Sequence, residues 1–260
     1  SKWQYVNKYD VFIGLTSTKT GVWVYKHPPD LPHREFSNIN PQDLINNASP
    51  GSTVTLPPGT YGQGLFINKS LVVRLKGVNL WGVAKGKAII NVDCNHCQVI
   101  IEDFTANGPS SGCIQGNCAG IKAEGVKFNL LLRRSHINNT VMGILTDNRG
   151  GTLKIVDSLI ENTGLNDQSR TLGHGVYAGM IDELVLTNTI IRNVNGDGHI
   201  LKSRAPRTVL MTASLLGGTG FQSRTIDLPC GGELIIDNSI LQQGQNASNV
   251  DMIALGTEPR

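Results

Sequence analysis

The chain has 260 residues, a net charge of +3, 5% aromatic residues and 30 glycines. That length supports one large domain with a continuous core. The small charge is unclustered, with no Lys/Arg run interleaved with aromatics, which excludes a nucleic-acid binder but leaves room for a mildly basic groove. Apolar residues fall in short Ile, Leu and Val runs, which suit strands and are too short to span a membrane.

In chain order, residues 1–39 read as an irregular N-terminal segment packing on the rest of the chain, because Pro28, Pro29 and Pro32 break any element. Asn40-Pro-Gln-Asp-Leu-Ile-Asn-Asn-Ala predicts a short helix near 41–48, with Asn40 as cap, Pro41 in the first turn and Leu44 and Ile45 facing inward. An alternating strand, Gly51-Ser-Thr-Val-Thr-Leu, runs into the turn Pro57-Pro-Gly-Thr-Tyr. Further strands follow at Ser70-Leu-Val-Val-Arg-Leu, Ala88-Ile-Ile-Asn-Val and Val99-Ile-Ile-Glu-Asp-Phe. From there the chain repeats. Glu183-Leu-Val-Leu-Thr-Asn-Thr-Ile, Thr208-Val-Leu-Met-Thr-Ala-Ser-Leu and Glu233-Leu-Ile-Ile-Asp-Asn-Ser-Ile place Leu186, Met211 and Ile236 at equivalent positions, 25 residues apart. Segments at Leu153 and Asn129 fit the same frame 31 and a further 23 residues earlier. A period in this range means stacked repeats.

The opening helix followed by Leu56-Pro-Pro-Gly-Thr-Tyr61 resembles the start of right-handed parallel β-helix proteins of the pectate-lyase-like superfamily. The later Gly173-His-Gly-Val-Tyr-Ala-Gly, Gly198-His-Ile-Leu-Lys-Ser-Arg-Ala and Ser223-Arg-Thr-Ile-Asp-Leu-Pro-Cys-Gly-Gly are similar to a proteobacterial set of β-helix repeat proteins. The resemblance implies an all-β chain: a single-stranded right-handed parallel β-helix over residues 40–260 with a short N-terminal capping helix. A cap has a physical purpose, since an open solenoid end exposes apolar residues and unpaired strand edges.

Of the five cysteines, Cys94-Asn-His-Cys97 and Cys113-(x4)-Cys118 have the outline of a zinc site with His96 to spare. Two local disulfides, or one pair across coils, is the preferred reading, in an exported protein that is secreted or periplasmic. Cys230 is left odd. Ser1 in place of an initiator Met, with no apolar signal segment after it, reads as a mature or trimmed product.

A second, shorter strand precedes each repeated one. Aligned, these read Ile121-Lys-Ala-Glu, Ile144-Leu-Thr-Asp, Val176-Tyr-Ala-Gly, Leu201-Lys-Ser-Arg, Ile226-Asp-Leu-Pro and Ile253-Ala-Leu-Gly. Their first and third positions are apolar or small and face inward, so the second and fourth face outward. With coils about 4.8 Å apart, Lys122, Glu124, Asp147, Tyr177, Lys202, Arg204 and Asp227 form one patch, edged by His174 and His199. The longer, 31-residue spacing puts a loop at 164–173 over that patch.

Lys and Arg along an extended face suit a uronate polymer and β-elimination. Arg204 would neutralise the carboxylate. Lys202 would be the base, its proton loosened by Arg204 and Lys122, and Tyr177 or His174 the acid. Lys122, Glu124, Asp147, His199 and Asp227 would hold substrate. No cofactor is required; calcium would need clustered carboxylates, and these are spread out. A glycoside hydrolase needs two carboxyls about 5–9.5 Å apart; Asp147 and Asp227, three coils or roughly 14 Å apart, are too distant, which leaves Glu124 with Asp147. A uronate epimerase shares the first step of the lyase, and a non-catalytic carbohydrate-binding surface protein is the remaining class. Each residue also has a purely structural reading: Lys202 with Asp227 as a cross-coil ion pair, and the Gly-His pairs as hydrogen bonds to turn backbone.

Overall fold

A computed structural model describes residues 2–6, 11–17, 21–26, 37–108, 113, 118–147, 149–164 and 173–258, the first three segments by backbone alone. The chain divides into two units, residues 1–35 and 36–260. In the first, Lys2–Val6, Val11–Ser17 and Gly21–Lys26 form a three-stranded antiparallel meander. This corrects the expectation of an irregular segment. Val11-Phe-Ile-Gly-Leu-Thr-Ser and Gly21-Val-Trp-Val-Tyr-Lys are rich in β-branched and aromatic residues, and the prolines that suggested disorder lie after the last of these strands.

The second unit begins with α1, Pro41–Asn47. Asn40 caps it by accepting from the Gln42 amide at 3.0 Å, Pro41 occupies the first turn and Ile45 is fully buried. The Gln42 side chain donates to the Phe66 carbonyl at 2.9 Å and accepts from the Phe66 N–H at 2.8 Å. It therefore completes the free edge of the strand Leu65–Ile67 as a neighbouring strand would.

Beyond the cap, strands cycle through three parallel sheets of eight, each coil adding one strand to each. The first sheet runs from Thr53–Thr55 to Glu233–Asp237, the second from Gly59–Tyr61 to Ile240–Gln242, and the third from Leu65–Ile67 to Ile253–Leu255. This is the parallel β-helix expected. One core of stacked aliphatic columns fills it, for example Ile90, Ile121, Ile144, Val176, Leu201 and Ile226, each fully buried. Each such side chain is worth about 1.5–3 kcal/mol relative to exposure.

The corner between the first and second sheets is a column of left-handed residues. Asp103, Arg134, Asp157, Asn188, Thr212 and Asn238 all have φ between 46° and 58°. Asn and Asp tolerate this region best, and four of the six are of these types. Each of the first five passes its N–H to the next coil, as Asp157 does to the Thr187 carbonyl at 3.1 Å. Asn139, just after the strand His136–Asn138, and Asn162 and Asn193, within the strands Leu159–Thr163 and Ile190–Val194, have positive φ too, with Asn193 Nδ2 donating to Asn162 Oδ1 at 3.3 Å.

The 25-residue frame needs one correction. Leu186 pairs with Leu210, and Leu210 with Ile236, so spacings of 24 and 26 replace two of 25. Met211 instead pairs with Thr187 and Asp237 and stands 43% exposed, while Leu210 is buried. A one-residue slip moves a side chain to the opposite face. The lost residue belongs to the turn between Ser203 and Arg207, and the turn between Leu228 and Glu233 restores it.

Cys94–Cys97 and Cys113–Cys118 are disulfides, the local pairing, and Cys230 belongs to neither. Two disulfides mark an extracytoplasmic protein. Among the described residues no helix is long and apolar enough to cross a membrane.

Candidate functional site

The outer face of the third sheet carries the residues of interest, in the register the sequence alignment predicts. Lys122 pairs with Leu145, Leu145 with Tyr177, Tyr177 with Lys202, Lys202 with Asp227, and Asp227 with Ala254. The same ladder extends back through Asn91 to Phe66. Strand alternation turns the column outward, yet Lys122, Leu145 and Asp227 are 5%, 7% and 3% exposed. This is not a solvated surface of the ordinary kind.

The predicted residues fall into two groups separated by Leu145. In the first, Lys122 Nζ lies 3.1 Å from Asp147 and 3.7 Å from Glu124. Glu124 also accepts from Lys87 Nζ at 2.7 Å and Asn91 Nδ2 at 2.9 Å. Burial would raise the Glu124 carboxyl, but the hydrogen bonds from Lys87 and Asn91 outweigh it and hold the group below the usual carboxylate range. The same contact raises Lys87.

The second group spans three coils. His174 Nδ1 accepts the His199 N–H at 2.8 Å, and His199 Nδ1 accepts the Arg224 N–H at 3.2 Å. Each ring thus takes an amide from the residue 25 positions on, and the two stack with centroids 5.3 Å apart. The Gly-His recurrence is therefore a backbone device. An acceptor role at Nδ1 leaves the proton on Nε2, and His199 Nε2 points to Asp227 Oδ2 at 3.2 Å. Burial, reinforced by His199 and Lys202 alongside, pushes His174 down to about 3, so it stays neutral.

Lys202 Nζ sits between carboxylates, 3.3 Å from Asp227 and 3.7 Å from Glu258. The expected cationic neighbours are not what it touches: Lys122 is three coils away and engaged with Asp147. Burial favours a neutral Asp227, but the His199 hydrogen bond and the Lys202 ammonium prevail and keep it below the usual range. Its second oxygen, Oδ1, is buried without a hydrogen-bond partner.

Arg204 reaches back across the face. Its Nε donates to the Tyr177 hydroxyl at 2.9 Å, Nη2 meets Glu258 at 2.7 Å and Nη1 lies 3.4 Å from Cys230 Sγ. The Tyr177 oxygen above all, then Glu258 and Cys230, raise the guanidinium further above its already high value. Tyr177 is boxed on its other sides by the His174 ring, 5.3 Å away and edge-on, and by the Lys202 ammonium 5.6 Å from the ring centroid.

Ion pairing is not peculiar to this face. Glu102 on the first sheet is held by Arg74 and Arg133, and Glu161 on the second by His136 and Arg192. What distinguishes the third sheet is a phenol in contact with an imidazole and a guanidinium, the imidazole stacked on a second.

Sequence reasoning missed Lys87, Asn91, Phe66 and Glu258. Asn91 and Phe66 stand on the Lys122 ladder and would have appeared had the stack been carried two coils back. Glu258 follows the last strand, outside the repeat frame, and left no periodic signal. The loop at 165–172, expected to overhang the patch, lies outside the described residues. Among those described, no cluster of three or more His, Cys, Asp or Glu side chains forms a metal-binding group. No protein-family model, curated protein or solved structure matches this chain.

Proposed function

We propose that this chain is a secreted or periplasmic enzyme, akin to the pectate-lyase-like superfamily, that binds an acidic, uronate-containing polysaccharide along the outer face of the third sheet and cleaves it by β-elimination. The observation that carries the reading is the hydrogen bond from Arg204 Nε to the Tyr177 hydroxyl at 2.9 Å, at the centre of that face.

Elimination needs a group to neutralise the substrate carboxylate, a base for the C5 proton and an acid for the departing O4. Arg204 serves the first role, with Lys202 beside it. The proton-transfer role falls to Tyr177 by comparison of its neighbours. His174 is neutral with Nδ1 occupied, His199 is engaged at both ring nitrogens, and Lys202 is held as an ion-pair partner by two carboxylates. An Arg204 N–H on the Tyr177 oxygen stabilises negative charge there. As a phenolate, its own proton given up to solvent, that oxygen takes the C5 proton, the C–H pair forms the C4–C5 double bond, the C4–O4 bond breaks, and the same oxygen returns the proton to O4. One residue suffices when both leave from the same side of the ring. The Lys122, Glu124 and Asp147 group, one to two coils or about 5–10 Å from Tyr177 along the face, holds a neighbouring sugar.

The carboxyls speak against hydrolysis. A glycosidase acid must keep its proton near neutral pH, whereas Glu124, Asp227 and Glu258 are all held below the usual range. Epimerisation shares the Tyr177 step and differs only in where the proton returns.

The test is incubation with a panel of uronate polymers, following absorbance of the unsaturated product alongside new reducing ends. The two should rise together on at least one polymer. Reducing ends without the absorbance would replace the lyase by a hydrolase, and retained polymer binding with neither signal would replace it by a binding protein.

A further inference from the structure

Arg204 and Lys202 already have carboxylate partners, so a further carboxylate can bridge the two only by displacing one. Glu258 is the partner placed to yield. Its carboxylate bridges the two cations at the active centre, one oxygen 2.7 Å from Arg204 Nη2 and the other 3.7 Å from Lys202 Nζ. Arg204 and Lys202 are recessed, with side chains 21% and 15% exposed, while Glu258 is 44% exposed. Asp227, by contrast, is 5% exposed and gripped by His199, so Lys202 keeps one counter-charge when Glu258 leaves. The backbone beneath Glu258 is pinned: Gly256 N–H donates to the Leu228 carbonyl at 3.0 Å and Glu258 N–H to that of Pro229 at 2.8 Å. Exchange therefore needs a side-chain rotation and no unfolding.

From this geometry we infer that Arg204 and Lys202 form a carboxylate-binding subsite, and that Glu258 is its internal, displaceable occupant. This rests on the acidic-polysaccharide reading above and sharpens it. A uronate carboxylate offers the same two-oxygen bridge that Glu258 makes. While Glu258 holds the site, the apparent affinity for an acidic sugar is reduced by the fraction of time the site stands open. Binding of a neutral sugar feels no such competition, so Glu258 sets how strongly a carboxylate must be preferred before it enters.

The experiment is calorimetric binding at low salt of galacturonate, guluronate and glucuronate oligomers, with neutral glucose oligomers as control. It uses the full chain on a Tyr177→Phe background, which slows turnover by about 10²–10⁴. Adding Glu258→Gln or Glu258→Ala should tighten at least one acidic oligomer about tenfold, the gain expected for a site self-occupied about nine-tenths of the time, and should leave the neutral oligomers unchanged. Acidic binding that is unchanged or weaker in both variants overturns the inference, as does no acidic binding by any of the proteins. A fall in melting temperature without a gain in affinity gives Glu258 a structural role only and overturns it equally. Tightened binding without unsaturated product in the polymer assay retires the elimination chemistry and leaves the subsite standing.

Discussion

His174 shows how far one position can be read and where reading stops. Stacking the coils placed it beside Tyr177 and His199, and the rings do meet there. What the alignment could not carry was the direction of each polar atom. The amide of His199 lands on His174 Nδ1, burial removes water, and the ring becomes a neutral structural acceptor instead of a proton donor. The setting of Lys202 is only partly legible for a related reason, since its second carboxylate partner, Glu258, lies outside the repeat. The buried imidazole has a consequence in acid. Its ordinary value of 6.5 is lowered to about 3 in the fold, so between those limits the unfolded chain binds a proton that the native chain refuses. The contribution of His174 is fully present above pH 6.5 and falls as pH drops through the window towards 3. Replacing His174 with Asn keeps an acceptor for the His199 amide and removes the titration. Denaturant melts at several pH values should then lose up to about 1.4 kcal/mol per pH unit of acid sensitivity. An unchanged slope would mean that His174 is not the group refusing the proton.

At the level of the strand, the pattern of apolar residues was legible and its phase was not always so. Val209-Leu-Met offers three apolar residues in a row, so either Leu210 or Met211 satisfies the inward position by type alone. Turn lengths decide between them, and the turn after Ser203 is one residue shorter than its counterpart in the coil before. The third-sheet strands carried no such ambiguity, because Tyr177, Lys202 and Asp227 are flanked by unmistakable inward residues, and there the predicted register is the observed one. The first unit was missed because three prolines outweighed two alternating runs. The phase can be tested by truncation. Leu210→Ala, at a fully buried position, should cost about 2–5 kcal/mol of unfolding free energy. Met211→Ala, at a side chain 43% exposed, should stay within about 0.5 kcal/mol of the parent. The reverse order of costs in equilibrium denaturation would restore the strict 25-residue frame.

For the molecule as a whole, the solenoid converts a linear repeat into a column of aligned side chains. Eight coils in register align a column from Phe66 to Ala254, and rigid stacking fixes the spacing of its charged groups without long loops. The fold class and the membership of that column could be read from the repeat, since both depend on period and alternation. The pairing of its charges could be read only in part: a mildly basic groove was expected, with a Lys202–Asp227 ion pair as the structural alternative, and Lys122, Lys202 and Arg204 all prove to face carboxylates, because ion pairing depends on rotamers and on residues outside the frame. The central claim is that this face performs β-elimination through Tyr177. The most direct measurement is steady-state turnover of the polymer that yields unsaturated product, comparing the parent chain with Tyr177→Phe, which removes one oxygen and keeps the ring. Turnover should fall by about 10²–10⁴, the usual contribution of a positioned acid–base group, with polymer binding retained. Full turnover by Tyr177→Phe would contradict the account.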